Sequence, residues 1–592
     1  MAELWERRPA EPDYAKLSQN AGPAENRYGQ LIDLIDLTEA QGQALPKNRP
    51  LGINDNPSVG CNPLRNKQHG FYFNADNCIG CHACEAACAE KNETPAHLAF
   101  RSVGYVEGGS YPDYQRLNIS MACNHCDDPV CLKGCPTAAY TKHAEYGAVL
   151  QDPDTCFGCG YCTWVCPYNA PQLDPVEGQV SKCNMCVDRL EVGLKPACVS
   201  ACVGNALDFG VIETVPEGRQ DADATIPGFP DPRITQPNIR FQQRKRLPDV
   251  LTRPDSQPLE YRREEGGYRS GPVSAGDPRV SGSGTRGWGL GRLNSRENAL
   301  VAFTLLAQAG VGLLALGLFV DGVPLGPLLF AVPALLGAGL LASTTHLGKP
   351  LRFYRGFNNL RHSPVAREGA GLAACLALAG SGWLATLADW STLAAAASAL
   401  AGAAGIVGLY YMVRCYLIPA RPFWNHWQVV TAFAGAALVF GAAGVAGLQL
   451  AFAVDVALHP LAWCLLIGIG VDGIGLGFHR RAMWRIGGEG AAAQRELETA
   501  FGRSYWLRNA LLLASANCAL GVALGVVDSA WFWGGCAMAG VAAALSRAFF
   551  YVLVIPTTMP GAFFWRNSAF ADQARQTGLA NLPQVGVHPG GH

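Results

Sequence analysis

The sequence has little charge, and the charge that it has is balanced. Charged residues make up 16% of the 592 residues, and the formal net charge is −1. Nucleic-acid binding relies on clustered Lys and Arg, so this composition gives it no support. The sequence therefore predicts no nucleic-acid partner, in a chain long enough for several domains.

The N-terminal segment "MAELWERRPAEPDYAKLSQN" lacks the apolar core and the cleavage motif of a secretory signal, and it is not a twin-arginine signal. We expect this chain to carry no export signal of its own, although the signal of a partner could take its soluble part outside.

Cysteine, in contrast, is abundant and unevenly distributed. Of 22 cysteines, seventeen lie between Cys61 and Cys202, and five are scattered singly from Cys375 onward. Such density in a small secreted protein indicates disulfides, whereas regular C-x-x-C spacing in a large chain favours metal. Thiolates that receive iron must be reduced at assembly, which predicts maturation in the cytosol.

Sixteen of these cysteines form four groups of four. They are Cys78, Cys81, Cys84 and Cys88; Cys123, Cys126, Cys131 and Cys135; Cys156, Cys159, Cys162 and Cys166; and Cys183, Cys186, Cys198 and Cys202. Groups one and three repeat the bacterial ferredoxin run, whose fourth cysteine binds a neighbouring cluster. Four thiolates per cluster predict four [4Fe–4S] clusters, a relay for single electrons.

Zinc is the alternative metal, but zinc sites rarely occur as three-plus-one runs with a following proline. Cys61 stands outside the four groups, and we interpret it and the five later cysteines as packing residues.

The composition divides the chain into five segments. Residues 1–70 are predicted to be an extension that packs on a partner, and 71–213 an α+β ferredoxin-like domain with four [4Fe–4S] sites. Residues 214–296 form a connector rich in Pro, Gly and Arg, 297–565 an all-α membrane anchor, and 566–592 a tail.

Eight apolar runs of about 20 residues follow residue 297, each long enough to cross a bilayer. They predict an eight-helix transmembrane bundle over 298–320, 326–345, 368–388, 391–413, 427–449, 459–479, 506–526 and 530–554. Buried helices of a soluble domain are the alternative, but eight successive runs leave no polar faces for water.

The loops between these runs differ in charge. On one side they contain Asp321, Asp389, Asp455 and Asp528 and no Lys or Arg, and the arginines lie in the loops of the other side. The positive-inside rule then predicts a multi-pass protein of the inner (cytoplasmic) membrane, with the cluster domain and the C-terminus in the cytoplasm. An acidic partner docked on the basic face is the alternative explanation.

With "CNHCDDPVC", "GCGYCTWVCPYNAPQ" and "CVSACVGNALDFG", residues 71–213 resemble the four-cluster iron–sulfur subunit of the dimethyl sulfoxide reductase family. "STTHLGKPLRFYRGFNN", "ARPFWNHW" and "YVLVIPTTMPGAFFW" resemble the membrane anchor subunit of that complex. The chain thus resembles a fusion of two subunits. The resemblance implies a large catalytic partner subunit, which alone would bind molybdopterin.

The resemblance also implies how clusters share ligands. Groups one and four would share two clusters, and groups two and three the other two. Cys202 would join Cys78, Cys81 and Cys84; Cys88 would join Cys183, Cys186 and Cys198; Cys166 would join Cys123, Cys126 and Cys131; and Cys135 would join Cys156, Cys159 and Cys162.

The anchor family exchanges electrons with menaquinone or ubiquinone, and its quinol-site histidine matches His346. An imidazole can take up and release the protons of quinone chemistry, although an interfacial histidine at a helix end is the alternative. Arg352, Arg355 and Glu368 are candidates for binding or proton relay, and a solvated interface would explain them as well.

Asp472 and Arg547 lie inside predicted membrane helices, where charges are costly. We hypothesise that they pair near the quinone pocket, and a structural ion pair is the alternative. His346, His426, His459 and His479 fall at predicted helix ends, so we expect no haem.

These features predict an electron-transfer and membrane-anchor subunit of a molybdopterin oxidoreductase, with only quinone chemistry on this chain. The loop charges predict clusters on the cytoplasmic side, and in this the chain resembles the related cytoplasm-facing sulfite dehydrogenases, a resemblance that implies reduction of quinone. The alternatives are a quinol-oxidising dimethyl sulfoxide reductase, an anchor of the polysulfide or nitrite reductase type, and a redox-driven ion pump.

Overall fold

A computed structural model describes residues 12–34 (except 19), 64–95, 98–108, 114–216, 219, 221–226, 229–245, 251–252, 259–264, 267–272, 288–293 and 295–554. Cys61, the tail and the "TTMPGAFFW" stretch lie outside these residues. The chain divides into two compact units, Met1–Val273 with Thr557–His592, and Ser274–Pro556. The first is the iron–sulfur unit and the second the membrane unit.

The strands of the iron–sulfur unit are short. They are β1 (His69–Asn74), β2 (Arg101–Gly108), β3 (Gln115–Ala122), β4 (Tyr140–Lys142), β5 (Val149–Gln151), β6 (Gln172–Asp174), β7 (Gln179–Ser181), β8 (Leu207–Val211), β9 (Ile239–Gln242), β10 (Leu251–Thr252), β11 (Leu259–Glu264) and β12 (Gly267–Pro272). One sheet has the order β8-β1-β9 and another β10-β2-β3, and the remaining strands pair as hairpins.

Strand β1 is the centre of this unit because its "HGFYFN" sequence is apolar on both faces. It pairs antiparallel with β8 and parallel with β9. Phe71 and Phe73 are about 1% exposed, and they pack beside Phe209 and Phe241 in a core that also contains cysteines of all four groups. The sheet therefore fixes the framework on which the cysteine loops are mounted.

Five short helices follow the cysteine loops. They are α1 (Ala83–Asn92), α2 (Val130–Gly134), α3 (Tyr161–Val165), α4 (Val187–Glu191) and α5 (Ala197–Ser200). The residues that precede α1, α3 and α4 are His82, Gly160 and Cys186, and all three have a left-handed backbone. This turn reverses the chain between successive cysteines, so that several sulfurs face one point.

Two parts of this unit differ from the expected segments. The extension is predicted to pack on a partner, but its described residues pack on this same unit: Lys16 bridges to Leu194, and Asn26 donates a hydrogen bond to Asp127. Strand β9 lies in the predicted connector, yet it completes the central sheet. Parallel pairing with a strand more than 160 residues earlier leaves no local sequence signal.

The membrane unit contains the long helices. They are α6 (Asn298–Gly317), α7 (Leu325–Thr344), α8 (Pro364–Leu387), α9 (Ser391–Tyr416), α10 (Gln428–Ala451), α11 (Leu458–Ile486), α12 (Gly488–Glu498), α13 (Gly502–Ala523) and α14 (Ser529–Val552). Seven of the described helices, all but α12 and α13, are long and apolar enough to span a membrane. The seventh predicted span, 506–526, corresponds to α13, which is long enough but more polar, and α12 has no counterpart among the predicted spans.

Glycine allows these helices to approach closely. A Cβ at Gly312 of α6 would lie 2.0 Å from the carbonyl oxygen of Ala437 in α10. A Cβ at Gly435 of α10 would lie 2.6 Å from the carbonyl oxygen of Gly468 in α11. Small residues at such crossings are typical of helices packed in lipid.

Candidate metal centres and a membrane cavity

The fold brings the cysteines of different groups together. Cys78 interacts electrostatically with Cys84, Cys202 and Cys81. Cys183 interacts with Cys88 and Cys186, and Cys88 and Cys186 both interact with Cys198. Each of these two neighbourhoods thus combines cysteines of groups one and four.

Groups two and three interleave in the same way. Cys126 interacts with Cys123, Cys166 and Cys131. Cys162 interacts with Cys159, Cys135 and Cys156. We name the four neighbourhoods set A (Cys78, Cys81, Cys84, Cys202), set B (Cys88, Cys183, Cys186, Cys198), set C (Cys123, Cys126, Cys131, Cys166) and set D (Cys135, Cys156, Cys159, Cys162). Cys123 also interacts with Cys183, so sets B and C are adjacent.

The cysteine sets of the described residues are not arranged around a single metal ion. Across the described residues, no group of three or more His, Cys, Asp or Glu side chains is placed to hold a single metal ion. A cubane carries iron at four corners, so its ligand sulfurs lie further apart than those around a lone zinc ion. The four-cysteine sets therefore fit a polynuclear iron centre better than zinc.

The thiols also need a metal to remain charged. Burial raises the pKa of Cys88 to about 11 and that of Cys186 to about 12. Neighbouring thiols contribute in the same direction, because two thiolates repel. Such groups are neutral at pH 7 unless a cation binds them, and iron supplies that charge.

Backbone amides support the sulfur atoms. Met185 N–H donates to Cys183 Sγ at 3.4 Å, and Gly158 N–H donates to Cys156 Sγ at 3.4 Å. Ala206 N–H donates to Cys202 Sγ at 3.2 Å. Hydrogen bonds to cluster sulfurs stabilise added negative charge and raise the reduction potential.

Two buried cations lie among the sets. Arg101 is 2% exposed and donates to Ser120 Oγ at 3.0 Å, and Ser120 Oγ lies 3.4 Å from Cys84 Sγ. Lys182 is 6% exposed, and its Nζ lies 3.5 Å from Cys123 Sγ. Burial alone would lower the pKa of both, but the neighbouring cysteine sulfurs, once iron holds them as thiolates, raise it.

The membrane unit contains a cavity of about 320 Å³ between α10, α11, α13 and α14. Its wall is mostly apolar, and the charged or ionisable residues that line it are Asp472, His479, Arg480, Tyr505, Arg508 and Arg547. A mainly apolar pocket with a few convergent polar groups is typical of small-molecule sites, and this volume lies within their range.

Asp472 and Arg547 both line the cavity and interact electrostatically, but the hydrogen bond that Arg547 donates is not to Asp472. Arg547 instead donates to Gln308 Oε1 at 2.9 Å and lies 3.9 Å from the centre of the Phe433 ring. Asp472 interacts electrostatically with Arg508 and Arg547, and its buried Oδ1 has no hydrogen-bond partner among the described residues. Asp472 is therefore available to a ligand.

The sequence interpretation missed Arg508 and misplaced His479. Arg508 donates to Ser546 Oγ at 3.2 Å, while its buried Nε has no partner among the described residues. His479 was expected at a helix end, but α11 continues for seven residues beyond it. The Nε2 of His479 bonds to the Phe423 carbonyl at 2.8 Å. The apolar run stops at His479 because the following turn is charged, not because the helix ends.

His346, Arg352, Arg355 and Glu368 do not line this cavity. His346 follows α7, and burial and the nearby Arg296 lower its pKa to about 4. Arg352 and Arg355 lie in the 3₁₀ helix Pro350–Phe357. Glu368, near the start of α8, accepts a hydrogen bond from Cys415 Sγ at 3.2 Å, and no described residue donates a hydrogen bond to its Oε1.

Glu368 and Arg547 are linked through a buried tyrosine pair. The hydroxyls of Tyr416 and Tyr551 lie 2.5 Å apart. Both tyrosines interact electrostatically with Glu368 and with Arg547. A polar path therefore connects the start of α8 with the cavity wall.

Comparison with known families and proteins gives similarity in both units. Residues 115–212 match the family model described as "4Fe-4S dicluster domain", and residues 293–553 match "DMSO reductase anchor subunit (DmsC)".

Among individual proteins, the sequence is 37% identical over 205 residues to a chain of the anaerobic dimethyl sulfoxide reductase of Escherichia coli, which covers 33% of this protein and 95% of that relative. It is 38% identical over 188 residues to the chain of the same name from Haemophilus influenzae. This match covers 30% of this protein and 91% of that relative. It is also 38% identical over 154 residues to a sulfite dehydrogenase subunit of Allochromatium vinosum. This match covers 22% of this protein and 64% of that relative.

Proposed function

Because this protein belongs to the same family as that anaerobic dimethyl sulfoxide reductase chain and continues into an anchor domain of the same complex, we propose that it carries electrons between a molybdopterin-containing catalytic subunit and a membrane quinone. It is an iron–sulfur electron-transfer subunit fused to its membrane anchor.

The arrangement of sixteen cysteines in sets A to D carries this proposal. Each set offers four sulfurs, three from one run and one from another, which is the ligand pattern of paired cubanes. Bound there, four [4Fe–4S] clusters would accept and pass on single electrons. The protein would hold them with thiolates, amides and buried cations while excluding water.

We assign the quinone ring to the cavity between α10, α11, α13 and α14. Reduction of a quinone requires two electrons and two protons, and oxidation of the quinol releases both. Asp472 Oδ1 can accept a hydrogen bond from a quinol hydroxyl, and Arg508 can donate one to a quinone oxygen. The apolar remainder of the wall suits the ring of menaquinone or ubiquinone.

His346, Arg352, Arg355 and Glu368 are proposed to exchange the protons of this reaction with water. Glu368 connects to the cavity through Tyr416 and Tyr551, which supports a role in relay. Quinone binding at His346 itself is the competing proposal, and it predicts that loss of His346 abolishes quinone binding outright.

For the direction of flow, we favour quinone reduction with electrons from sulfite. The loops with Asp321 and Asp455 meet at one end of the bundle, where Gln449 Nε2 donates to the Asp321 carbonyl at 3.0 Å. The arginine-rich loops lie at the opposite ends of the helices, so the positive-inside rule supports a cytoplasmic iron–sulfur unit. Similarity to the Allochromatium vinosum protein supports sulfite as the electron source.

Membranes that contain the complex test this proposal directly. Sulfite should reduce the quinone pool, and dimethyl sulfoxide should fail to oxidise quinol. The opposite pair of results would favour the second candidate, a quinol-oxidising dimethyl sulfoxide reductase. Iron and acid-labile sulfide far below about sixteen atoms each per chain would refute the four-cluster relay in either direction.

A further inference from the structure

Lys182 lies between two cysteine sets. It follows β7 and directly precedes Cys183 of set B. Its Nζ lies 3.5 Å from Cys123 Sγ of set C and donates to the Cys183 carbonyl at 2.9 Å and to the Val149 carbonyl. One buried ammonium group thus contacts both sets at the boundary where they meet.

The charge of Lys182 is not neutralised by a carboxylate. Among the residues that the structure describes, no Asp or Glu forms an ion pair with it. Lys142 makes a useful contrast, because it too is buried and donates to the carbonyl of a set C residue, Cys126, at 2.9 Å. Lys142 pairs with Asp127 at 3.0 Å, so its positive charge is already balanced. The counter-charge of Lys182 must come from the sulfurs themselves.

We propose that Lys182 is a positioning residue for electron transfer, whose fixed positive charge raises the reduction potentials of the centres held by sets B and C. This inference rests on the proposed function, since it requires clusters in those sets. A cubane with four thiolates is negatively charged, and each added electron increases that charge. A cation beside the sulfurs, away from water, stabilises the reduced form.

The position of Lys182 also explains why one residue should act on both centres. Sets A and B share ligands from groups one and four, and sets C and D from groups two and three, whereas no cysteine run joins set B to set C. An electron that crosses this boundary leaves the centre of one set and arrives on the other, with no bond formed and no proton exchanged. Lys182 stabilises the electron on either side.

Potentiometric titration of the full-length protein in membranes, followed by electron paramagnetic resonance, tests the inference. Lys182→Gln removes the charge but keeps an amide that can donate to the carbonyls of Val149 and Cys183, and Lys182→Arg keeps the charge. The control is the double variant Lys142→Met, Asp127→Asn, which removes a buried lysine together with its counter-charge.

In Lys182→Gln, we expect the equilibrium constant for reduction of the centres in sets B and C to fall by about tenfold or more. For a one-electron reduction, this lowers the reduction potential by about 59 mV. The other two should change little. Lys182→Arg should restore the potentials, and the control variant should leave them unchanged.

Two outcomes would overturn the inference. The first is four unaltered potentials in Lys182→Gln with full iron content. The second is loss of iron in Lys182→Gln with full content in Lys182→Arg, which would assign Lys182 to assembly. A wild-type protein without four paramagnetic centres would instead refute the proposed function, before any variant is compared.

Discussion

Cys202 provides the sharpest test of the cluster arrangement. By sequence it belongs with Cys183 and Cys198, but in space it lies beside Cys78. The amides of Ala206 and Leu207 hold its sulfur at 3.2 and 3.4 Å. Replacement by Ala should therefore disturb the centre of set A and spare that of set B.

The expected size of the effect follows from the number of sets. If each set holds one cubane, loss of set A removes about four of about sixteen iron atoms, one quarter of the total, with the same fraction of sulfide. Cys202→Ala should also remove the paramagnetic signal that is lost in Cys78→Ala. The signal lost in Cys183→Ala should be a different one.

Chemical analysis of iron and sulfide, combined with spectra of the reduced protein, measures both quantities. Cys464→Ala is a suitable control, since this cysteine stands alone in α11 and should cost no iron. The reasoning fails if Cys202→Ala and Cys183→Ala lose the same signal, because ligands would then not be shared between the first and fourth groups.

Three further predictions concern the cavity, helix packing and pH. Asp472→Asn should lower quinone turnover by about 100-fold with cluster spectra unchanged. The control Asp321→Asn, in a distant loop, should leave turnover intact. Equal steady-state rates for Asp472→Asn and the wild type would contradict a role for Asp472. Gly312→Ala places a methyl group against the α10 backbone and should destabilise the bundle by about 1–3 kcal/mol. The unfolding temperature in detergent should therefore be lower. Gly447→Ala, where no atom lies within 4 Å of the added methyl group, should leave that temperature unchanged. Burial lowers the pKa of His69 to about 4 from its usual 6.5. As the pH drops, the imidazole is protonated in the unfolded chain before it is protonated in the folded one. The free energy of unfolding therefore falls. Between pH 7 and pH 5 the loss should be about 2 kcal/mol, and thermal unfolding at a series of pH values should show a weaker pH dependence in His69→Phe.

Much of the architecture could be predicted because its signals are local. Ligand spacing within a run and the length of an apolar segment both depend on neighbouring residues. The cysteine groups and seven membrane-spanning helices are therefore visible in the sequence, and the family models that match residues 115–212 and 293–553 confirm both types of domain.

The remaining features depend on contacts between distant segments. The parallel pairing of β1 with β9 and the burial of Arg101 arise only in the folded unit. Asp472 and Arg547 lie at similar predicted depths in the membrane, and on that ground the sequence predicts an ion pair between them. The side chain of Arg547 instead reaches Gln308 on α6, a partner that no spacing rule indicates.

The interleaved ligand sets have a consequence for biosynthesis. In the proposed ligand arrangement, set A takes a sulfur from residue 202 to complete a site that begins at residue 78, and β1 finds its parallel neighbour only at Ile239–Gln242. A ribosome must therefore translate nearly the whole soluble half before a centre in set A can be enclosed, whereas the cysteines of sets C and D are complete at Cys166. Only a short stretch then precedes α6, so insertion into the lipid bilayer begins while the metal-binding half is still maturing.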